Sequence, residues 1–394
     1  MSALNRKALQ RQQTEKLRVM LGELLKSNSF YRAKLPKDAA SKLNSLKALR
    51  DLPFTIKREL VEDQISHPPF GTNLTYPLER YIKIHQTSGT TGKPMYCLDT
   101  EESWQWWARC WKTIFEAAGV HAGDRIYFAF SFGPFIAIVD YGATVLISTP
   151  TYAVHLASEA KKAGIDLAKG SAVRITIHAG EPGASIPATK KLLEEAWGAK
   201  CYDHPGASEV GAYGFECEPQ PGGVHINEEE FIAEVIHPES GDPVKEGEKG
   251  ELVMTNLGRI GNPVIRYRTG DLVEPGYEPC KCGRSLMLLK GGVLGRIDDM
   301  IIIRGVNIFP SSIESIVREF ADIEEFRVEV FRREALPELK LILEPRAGYA
   351  SPEGLREKVT SRVRESIGIR PQVELAPPGA LPRFELKAKR FFKL

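Results

Sequence analysis

The sequence predicts an α/β protein in two parts: a large N-terminal domain, residues 1–292, with α/β sheets and a β subdomain, then a small ferredoxin-like α+β domain, residues 293–394. Three observations predict it. Short apolar runs alternate with helical stretches between Tyr81 and Ala207, which favours an α/β sheet. Short strands separated by turn residues fill Glu230 to Asp271, and the rhythm resets after Gly291-Gly292.

Taken in order, Leu17, Met20, Leu21, Leu24 and Leu25 recur at i, i+3, i+4, i+7 and i+8, the stripe of an amphipathic helix over Leu4 to Lys26. Arg125–Phe130, Thr144–Ile147, Val173–Ala179 and Cys201–Tyr202 read as strands of the α/β sheet, with the uncharged run Ile126–Val139 as buried strand and loop. Phe231–Ile236 and Gly250–Thr255 flank the turn Ser240-Gly241-Asp242-Pro243 and form a mostly antiparallel β subdomain. Beyond Gly292, Met300–Arg304 is a strand, and Pro310 opens a helix with the stripe Ile313, Ile316, Val317 and Phe320. Val328–Arg332 and Lys340–Leu343 follow as strands, then Ser351-Pro352-Glu353 starts a helix carrying Leu355, Val359, Val363 and Ile367. That β-α-β-β-α-β order is of ferredoxin-like type.

With 53 Lys+Arg against 51 Asp+Glu, a net charge of +2 gives no electrostatic reason to expect nucleic acid or an anionic membrane as partner. A hydrophobic share of 42% and a charged share of 26% exclude disordered and fibrous classes. The basic, polar first thirty residues lack a signal-peptide core, and the longest uncharged run is too short and too broken to span a bilayer. Six cysteines are too few for a disulfide scaffold, so a reducing, cytoplasmic setting is expected.

Thr87-Ser88-Gly89-Thr90-Thr91-Gly92-Lys93-Pro94 carries the chemistry of a phosphate cradle: glycines let amides approach anionic oxygens, hydroxyls add donors and Lys93 adds charge. It does not match a P-loop, because no glycine stands five before Gly92 and Pro94 replaces the magnesium-binding hydroxyl. Composition alone favours a polar hairpin turn.

The whole string resembles the phosphate loop of the adenylate-forming enzymes, and further segments match in order. They are Leu52–Lys57, Gly180-Glu181-Pro182, Asp203–Glu209, Tyr267-Arg268-Thr269-Gly270-Asp271, Gly295–Gly305, Leu381-Pro382-Arg383 and Lys387-Ala388-Lys389-Arg390. The chain is similar to the phenylacetate-coenzyme A ligase branch of that superfamily over nearly its full length.

The resemblance implies a two-step reaction: a carboxylate attacks the α-phosphate of ATP to give acyl-AMP and diphosphate, and the coenzyme A thiol then displaces AMP. It implies that Ser88, Gly89, Thr90, Thr91, Gly92 and Lys93 hold the β- and γ-phosphates and that Ser208 orients them. Glu209 would bind magnesium, a hard cation suited to carboxylate oxygen. Asp271 would accept the ribose hydroxyls, Arg296 would lie near ribose and α-phosphate, and Gly180, Glu181 and Pro182 would flank adenine. Lys387 would bridge the acid and the α-phosphate as negative charges converge. Lys389 and Lys393 are nearby competitors, and Leu386 stands where the family usually has glycine. Asp298 would be the hinge on which the small domain turns, and Gly305 would line the pantetheine entry.

Phe132-Gly133-Pro134-Phe135 falls at a strand end, where α/β sheets bind ligands, and the resemblance places the acid pocket there, with Tyr152 and Pro205 contributing. An aromatic or other flat apolar carboxylic acid is the expected substrate. Pro205 stands where the family often has an adenine-stacking tyrosine. Cys217, His225, Cys280 and Cys282 form a candidate zinc set, the ligand types that suit a closed structural site. The Cys-x-Cys spacing is tight, and four separate buried side chains are the alternative; similar cysteines in this ligase branch favour zinc. His204 is expected in a supporting or substrate-pocket role.

The expected partners are ATP, coenzyme A and a small aryl carboxylic acid, with Mg2+ as cofactor, no nucleic acid and no membrane; the resemblance also allows a homodimer. An acyl-adenylating enzyme with another acceptor and a catalytically impaired nucleotide-binding relative remain as alternatives. Relatives usually carry a helix-strand-helix passage after Phe135, whereas here Val139 runs almost directly into Asp140–Thr144, which predicts an uncovered sheet edge.

Overall fold

The computed structural model describes residues 6–87, 94–130, 135–303, 306–333, 336–349, 351–384 and 389–394. From the N-terminus the main elements are α1 (Arg6–Ser27), α2 (Lys57–Ser66), β1 (Tyr81–Gln86), β2 (Tyr96–Thr100), α3 (Glu101–Ala117), β3 (Ile126–Ala129), β4 (Val145–Ser148) and α4 (Pro150–Lys162). There follow β5 (Ile175–His178), α5 (Pro187–Trp197), β6 (Lys200–Asp203), β7 (Gly214–Cys217), β8 (Gln220–Ile226), β9 (Phe231–Ile236), β10 (Gly250–Asn256), β11 (Tyr267–Val273), β12 (Pro275–Gly276) and β13 (Leu288–Lys290). The remaining elements are β14 (Ile301–Ile303), β15 (Val306–Ile308), α6 (Pro310–Arg318), β16 (Ile323–Arg333), β17 (Leu336–Pro345), α7 (Pro352–Ile367), β18 (Gln372–Leu375) and β19 (Phe391–Lys393).

The chain forms two compact units, one of Met1–His121 with His204–Gly292 and one of Ala122–Asp203 with Val293–Leu394. In the first unit the predicted stripe of α1 is its buried face: Leu17, Met20, Leu21 and Leu24 pack with Tyr31, Ile232, Leu257 and Ile265. Each such burial contributes about 2 kcal/mol. Gln13, on the same face, is satisfied by the carbonyls of Glu228 and Phe231 at 2.8 and 2.9 Å. β9, β10 and β11 pair antiparallel in that order, and β12, β13, β8 and β7 form a second antiparallel sheet. β1 and β2 make a separate hairpin. Thr100 caps α3 by accepting from the Ser103 amide, and Trp106, Cys110 and Ile114 bury one face of that helix.

In the second unit β3, β4, β5 and β6 form a parallel sheet in chain order. α4 starts cleanly because Thr149 accepts from the Tyr152 amide and Pro150 needs no partner in the first turn. The expectation that Ile126–Val139 is buried fails at β3, where Ile126, Phe128 and Phe130 are 37%, 57% and 37% exposed. They share one face by period-two alternation on and just beyond the edge strand of the sheet, and that face is exposed among the described residues.

The C-terminal residues form a four-stranded sheet in the order β18, β17, β16, β19, with antiparallel pairing only at its centre. α6 and α7 cover it through Ile313, Ile316, Val317, Leu355, Val359 and Val363. One detail differs from the predicted order. β14 pairs with β15 as a short hairpin, Ile303 opposite Val306, while the C-terminal β19 takes the sheet edge. Pairing with β15 satisfies β14 locally, and the edge of β16 pairs with Phe391–Lys393.

Candidate active site

Among the residues of the first unit expected at the nucleotide site, Ser208 and Glu209 sit on a turn closed by mutual backbone bonds between Ala207 and Gly211, 3.2 and 2.8 Å. Gly211 has φ +127°, and a Cβ there would meet Trp106 at 2.8 Å and Phe231 at 3.0 Å, so only glycine closes the turn. The Glu209 carboxylate is nearly buried; its Oε1 accepts from the Tyr267 hydroxyl at 2.8 Å and lies 3.3 Å from Lys57 Nζ. Asp271, on β11, receives the Tyr213 hydroxyl at 3.4 Å, and its amide donates to Thr269 Oγ1 at 3.0 Å. Thr87 and Met95 close the base of the β1–β2 connection, amide to carbonyl at 2.9 Å and amide to hydroxyl at 2.9 Å. Ser88, Gly89, Thr90, Thr91, Gly92 and Lys93 lie outside the described residues.

Beneath the turn, Arg259 and Asp99 form a fully buried ion pair, and a third guanidinium donor reaches the Ser208 carbonyl at 2.5 Å. Burial pushes Asp99 upward, but His85 and Arg259 outweigh it and hold the carboxyl below its usual range. His204 is buried, its Nδ1 is 2.6 Å from the Gly214 carbonyl and its ring meets Trp111 edge-on at 4.7 Å. Burial pulls its pKa down to about 4, so it is neutral at pH 7. Pro205 is also buried, packed against Gly214.

In the second unit Gly180 adopts φ +91°, and Glu181 Oε1 accepts the Thr151 amide at 2.8 Å in the first turn of α4, where a carboxylate complements the helix dipole. Pro182 follows it. Arg296 makes a two-pronged ion pair with Asp298, 2.9 Å on each prong, and both are about half exposed. Burial, then the Asp298 charge, raises the pKa of Asp299. Tyr152 is buried in the core beneath the parallel sheet, 6% exposed, with Ala153 and Leu156. Phe132, Gly305 and Lys387 lie outside the described residues, as does the side chain of Phe135. The chain on either side of Lys387 is anchored: Arg383 pairs with Glu344, and Arg390 donates to Glu325 at 2.7 and 3.0 Å and to Glu314 at 3.1 Å.

Cys217, His225, Cys280 and Cys282 place their ligand atoms within 4.8 Å of one another. The individual edges are Cys217 Sγ to His225 Nε2 3.5 Å, Cys217 Sγ to Cys280 Sγ 3.6 Å and Cys282 Sγ to His225 Nε2 3.5 Å. A tetrahedron with zinc–sulfur bonds of about 2.3 Å and zinc–nitrogen bonds of about 2.0 Å has edges of about 3.5–3.8 Å. The donor set therefore fits zinc. β7 ends at Cys217, β8 carries His225, and the turn between β12 and β13 supplies both remaining cysteines through the Cys280 amide to Arg284 carbonyl bond, 3.0 Å. Burial pushes the Cys217 thiol up to about 12, so thiolate formation there calls for a cation; burial pulls His225 down to about 4, which keeps it in the neutral, ligating form.

Sequence reasoning gave no role to Lys57, Tyr267, Arg259 or Asp99. Lys57 and Tyr267 stand at the ends of recognised segments, which is the signal that marks them. Arg259 and Asp99 carry no such mark, since their pairing spans 160 positions.

The family description AMP-binding enzyme C-terminal domain matches residues 305–394. The phenylacetate-coenzyme A ligase of Thermus thermophilus is 30% identical over 437 aligned positions, covering 98% of this chain and 96% of that protein. The phenylacetate-coenzyme A ligase of Escherichia coli is 30% identical, with 98% and 95% covered. Among solved structures, 2-hydroxyisobutyryl-CoA ligase in the postadenylation state in complex with R3-HIB-AMP has a TM-score of 0.89 and 29% identity, with 98% of this chain and 88% of that chain covered. The alignment with the Thermus ligase is longer than this 394-residue chain, so at least 43 of its positions stand opposite gaps here. The chain belongs to the phenylacetate-CoA-ligase-like branch of the adenylate-forming superfamily, a family of AMP-forming acid–CoA ligases.

Proposed function

We propose that this enzyme activates an aromatic, phenylacetate-like carboxylic acid with ATP and passes the acyl group to coenzyme A. A carboxylate oxygen bonds to the α-phosphorus as diphosphate leaves; the thiol sulfur then bonds to the acyl carbon as AMP leaves, and the thiol proton goes to solvent. The observation that carries this reading is the Ser208–Glu209 turn, which presents a nearly buried carboxylate beside Lys57 in a chain similar end to end to such ligases. When bound, Mg2+ would neutralise phosphate charge.

Glu209 supplies hard oxygen to that cation, held in orientation by the Tyr267 hydroxyl. Asp271 accepts ribose hydroxyls, and Arg296 exchanges Asp298 for the nucleotide. Gly180, Glu181 and Pro182 border adenine, Ser88–Lys93 hold the outer phosphates, and Lys387 stabilises charge at the α-phosphate. Residues 293–394 act as the part that turns about Asp298 between the two steps, with Gly305 at the pantetheine entry. Phe132, Phe135, Tyr152 and Pro205 shape the acid pocket. Zinc bound by Cys217, His225, Cys280 and Cys282 is structural, because four protein ligands leave no open position. A reducing cytoplasmic setting suits these thiols.

The aromatic preference is the finer part of the reading, and the exposed face of β3, with the gaps against the longer Thermus relative, favours a shift in acid choice. Diphosphate exchange into ATP over a panel of aryl and alkyl acids, followed by thioester assay with coenzyme A, tests both. Exchange with aryl acids and thioester formation support the proposal. Exchange without thioester sinks the coenzyme A step, and no exchange with any acid sinks the activity.

A further inference from the structure

We propose that Arg259 and Asp99 are positioning residues for nucleotide binding, acting through the turn that carries Ser208 and Glu209. This rests on the reading that Ser208 and Glu209 hold magnesium ATP. Both side chains are fully buried. Arg259 Nε and one terminal nitrogen donate to the two oxygens of Asp99, each at 2.7 Å, and the other terminal nitrogen donates to the Ser208 carbonyl at 2.5 Å. The guanidinium also lies over the Trp107 ring, 5.4 Å from its centre.

A buried ion pair by itself contributes little net stability, because desolvation offsets the attraction and apolar residues of similar volume often do as well. What an arginine adds here is a rigid planar fork whose donors satisfy two different groups at once. One of those groups is a backbone carbonyl. Since the peptide unit is planar, fixing the Ser208 oxygen also constrains the direction of the Glu209 amide and the place of the Glu209 Cα. The Tyr267 hydroxyl holds the far end of that side chain. Glu209 is thus set from both ends, and Arg259 sets the backbone end.

The other end of the fork reaches the β1–β2 hairpin. Asp99 lies on β2, and His85 on the paired strand β1 brings its Nε2 within 3.4 Å of the same carboxylate. The Arg259–Asp99 pair therefore ties the hairpin to the Ser208–Glu209 turn, two segments more than a hundred residues apart in sequence. Neither residue needs to touch the nucleotide to hold its site in register.

Equilibrium binding of magnesium ATP to the full chain, by calorimetry, is compared for the wild type, Arg259→Lys and the doubly substituted Asp99→Asn/Arg259→Gln. Lysine keeps a cation beside Asp99 but cannot serve both Asp99 and the Ser208 carbonyl. We expect Arg259→Lys to melt within a few degrees of the wild type, to bind magnesium ATP about tenfold more weakly, the loss of one charge-assisted hydrogen bond, and to keep its coenzyme A affinity. In diphosphate exchange the KM for ATP rises by the same factor, while the KM for the acid moves less than twofold. Unchanged ATP binding, or equal losses for ATP, acid and coenzyme A, overturns the inference. If Arg259→Lys does not fold, the neutral pair is read by the same split, and equal losses there overturn it too. A wild type that binds no magnesium ATP sinks the functional reading and this inference with it, a result distinct from a wild type that binds while the variants are indifferent.

Discussion

Acidification from pH 7.5 to pH 5 is expected to destabilise the protein in part through His178 and His204, two buried histidines outside the candidate zinc set that cannot charge where they lie. His178, at the end of β5, is fully buried and its pKa falls to about 3. His204 is 3% exposed and falls to about 4, and in both cases burial is the largest cause. In the unfolded chain a histidine titrates near 6.5. Above that value both states are neutral and the histidines contribute no pH dependence. Below it the unfolded chain takes up protons that the folded chain refuses, so stability falls by about 1.4 kcal/mol per pH unit for each histidine until its folded pKa is reached. By pH 5 that is about 2 kcal/mol each, a large part of a typical 5–15 kcal/mol margin. Asp299 and Glu314, whose pKa values are raised mainly by burial, act in the opposite sense, so single-variant differences isolate the histidines. Urea unfolding of the wild type, His178→Asn and His204→Asn between pH 7.5 and 5 is the assay. Each variant should lose its own share of the pH slope. Because the two histidines belong to different units, each variant flattens only its own transition if the units unfold separately. A His178→Asn slope identical to the wild type refutes the argument.

Other outcomes follow from the same geometry. Cys280→Ser should remove zinc from the purified protein, measured as metal per chain, and lower the melting temperature of the unit that holds β7, β8 and β13; full metal content in the variant contradicts the four-ligand site. Gly211→Ala should destabilise by about 2 kcal/mol or more, since it forces a Cβ against Trp106 at a positive φ, and should weaken ATP binding; a wild-type unfolding midpoint would show that the turn tolerates a side chain. Lys387→Ala should abolish diphosphate exchange while sparing thioester formation from supplied acyl-adenylate. If Lys389→Ala does this instead, the motif register is shifted.

Periodicity was sufficient wherever a few neighbouring residues decide the structure. The α1 stripe, the α6 and α7 stripes and the proline-led starts of α6 and α7 are local properties, and each predicted apolar face is buried, fully or in part. The candidate metal quartet was legible by residue type, although its members come from two hairpins and the tight spacing of Cys280 and Cys282 is not the usual one. The strand at Met300–Arg304 was legible as a strand but not in its pairing, because partner choice depends on which edges remain open after the rest of the sheet has formed.

The amino-acid sequence alone determined the order of the motifs, the apolar stripes of α1, α6 and α7, the strands of the parallel sheet and the chemical groups expected at the nucleotide site, because these rest on residue type and short-range pattern. The tertiary structure decided which groups meet. Only folding places Lys57 and Tyr267 on Glu209, threads Arg259 between Asp99 and the Ser208 carbonyl, and leaves Ile126, Phe128 and Phe130 exposed on an edge strand. The physical reason is that a hydrogen bond or an ion pair is fixed by distances of a few ångströms in space, while separations of 51 to 160 positions along the chain leave no trace in local periodicity.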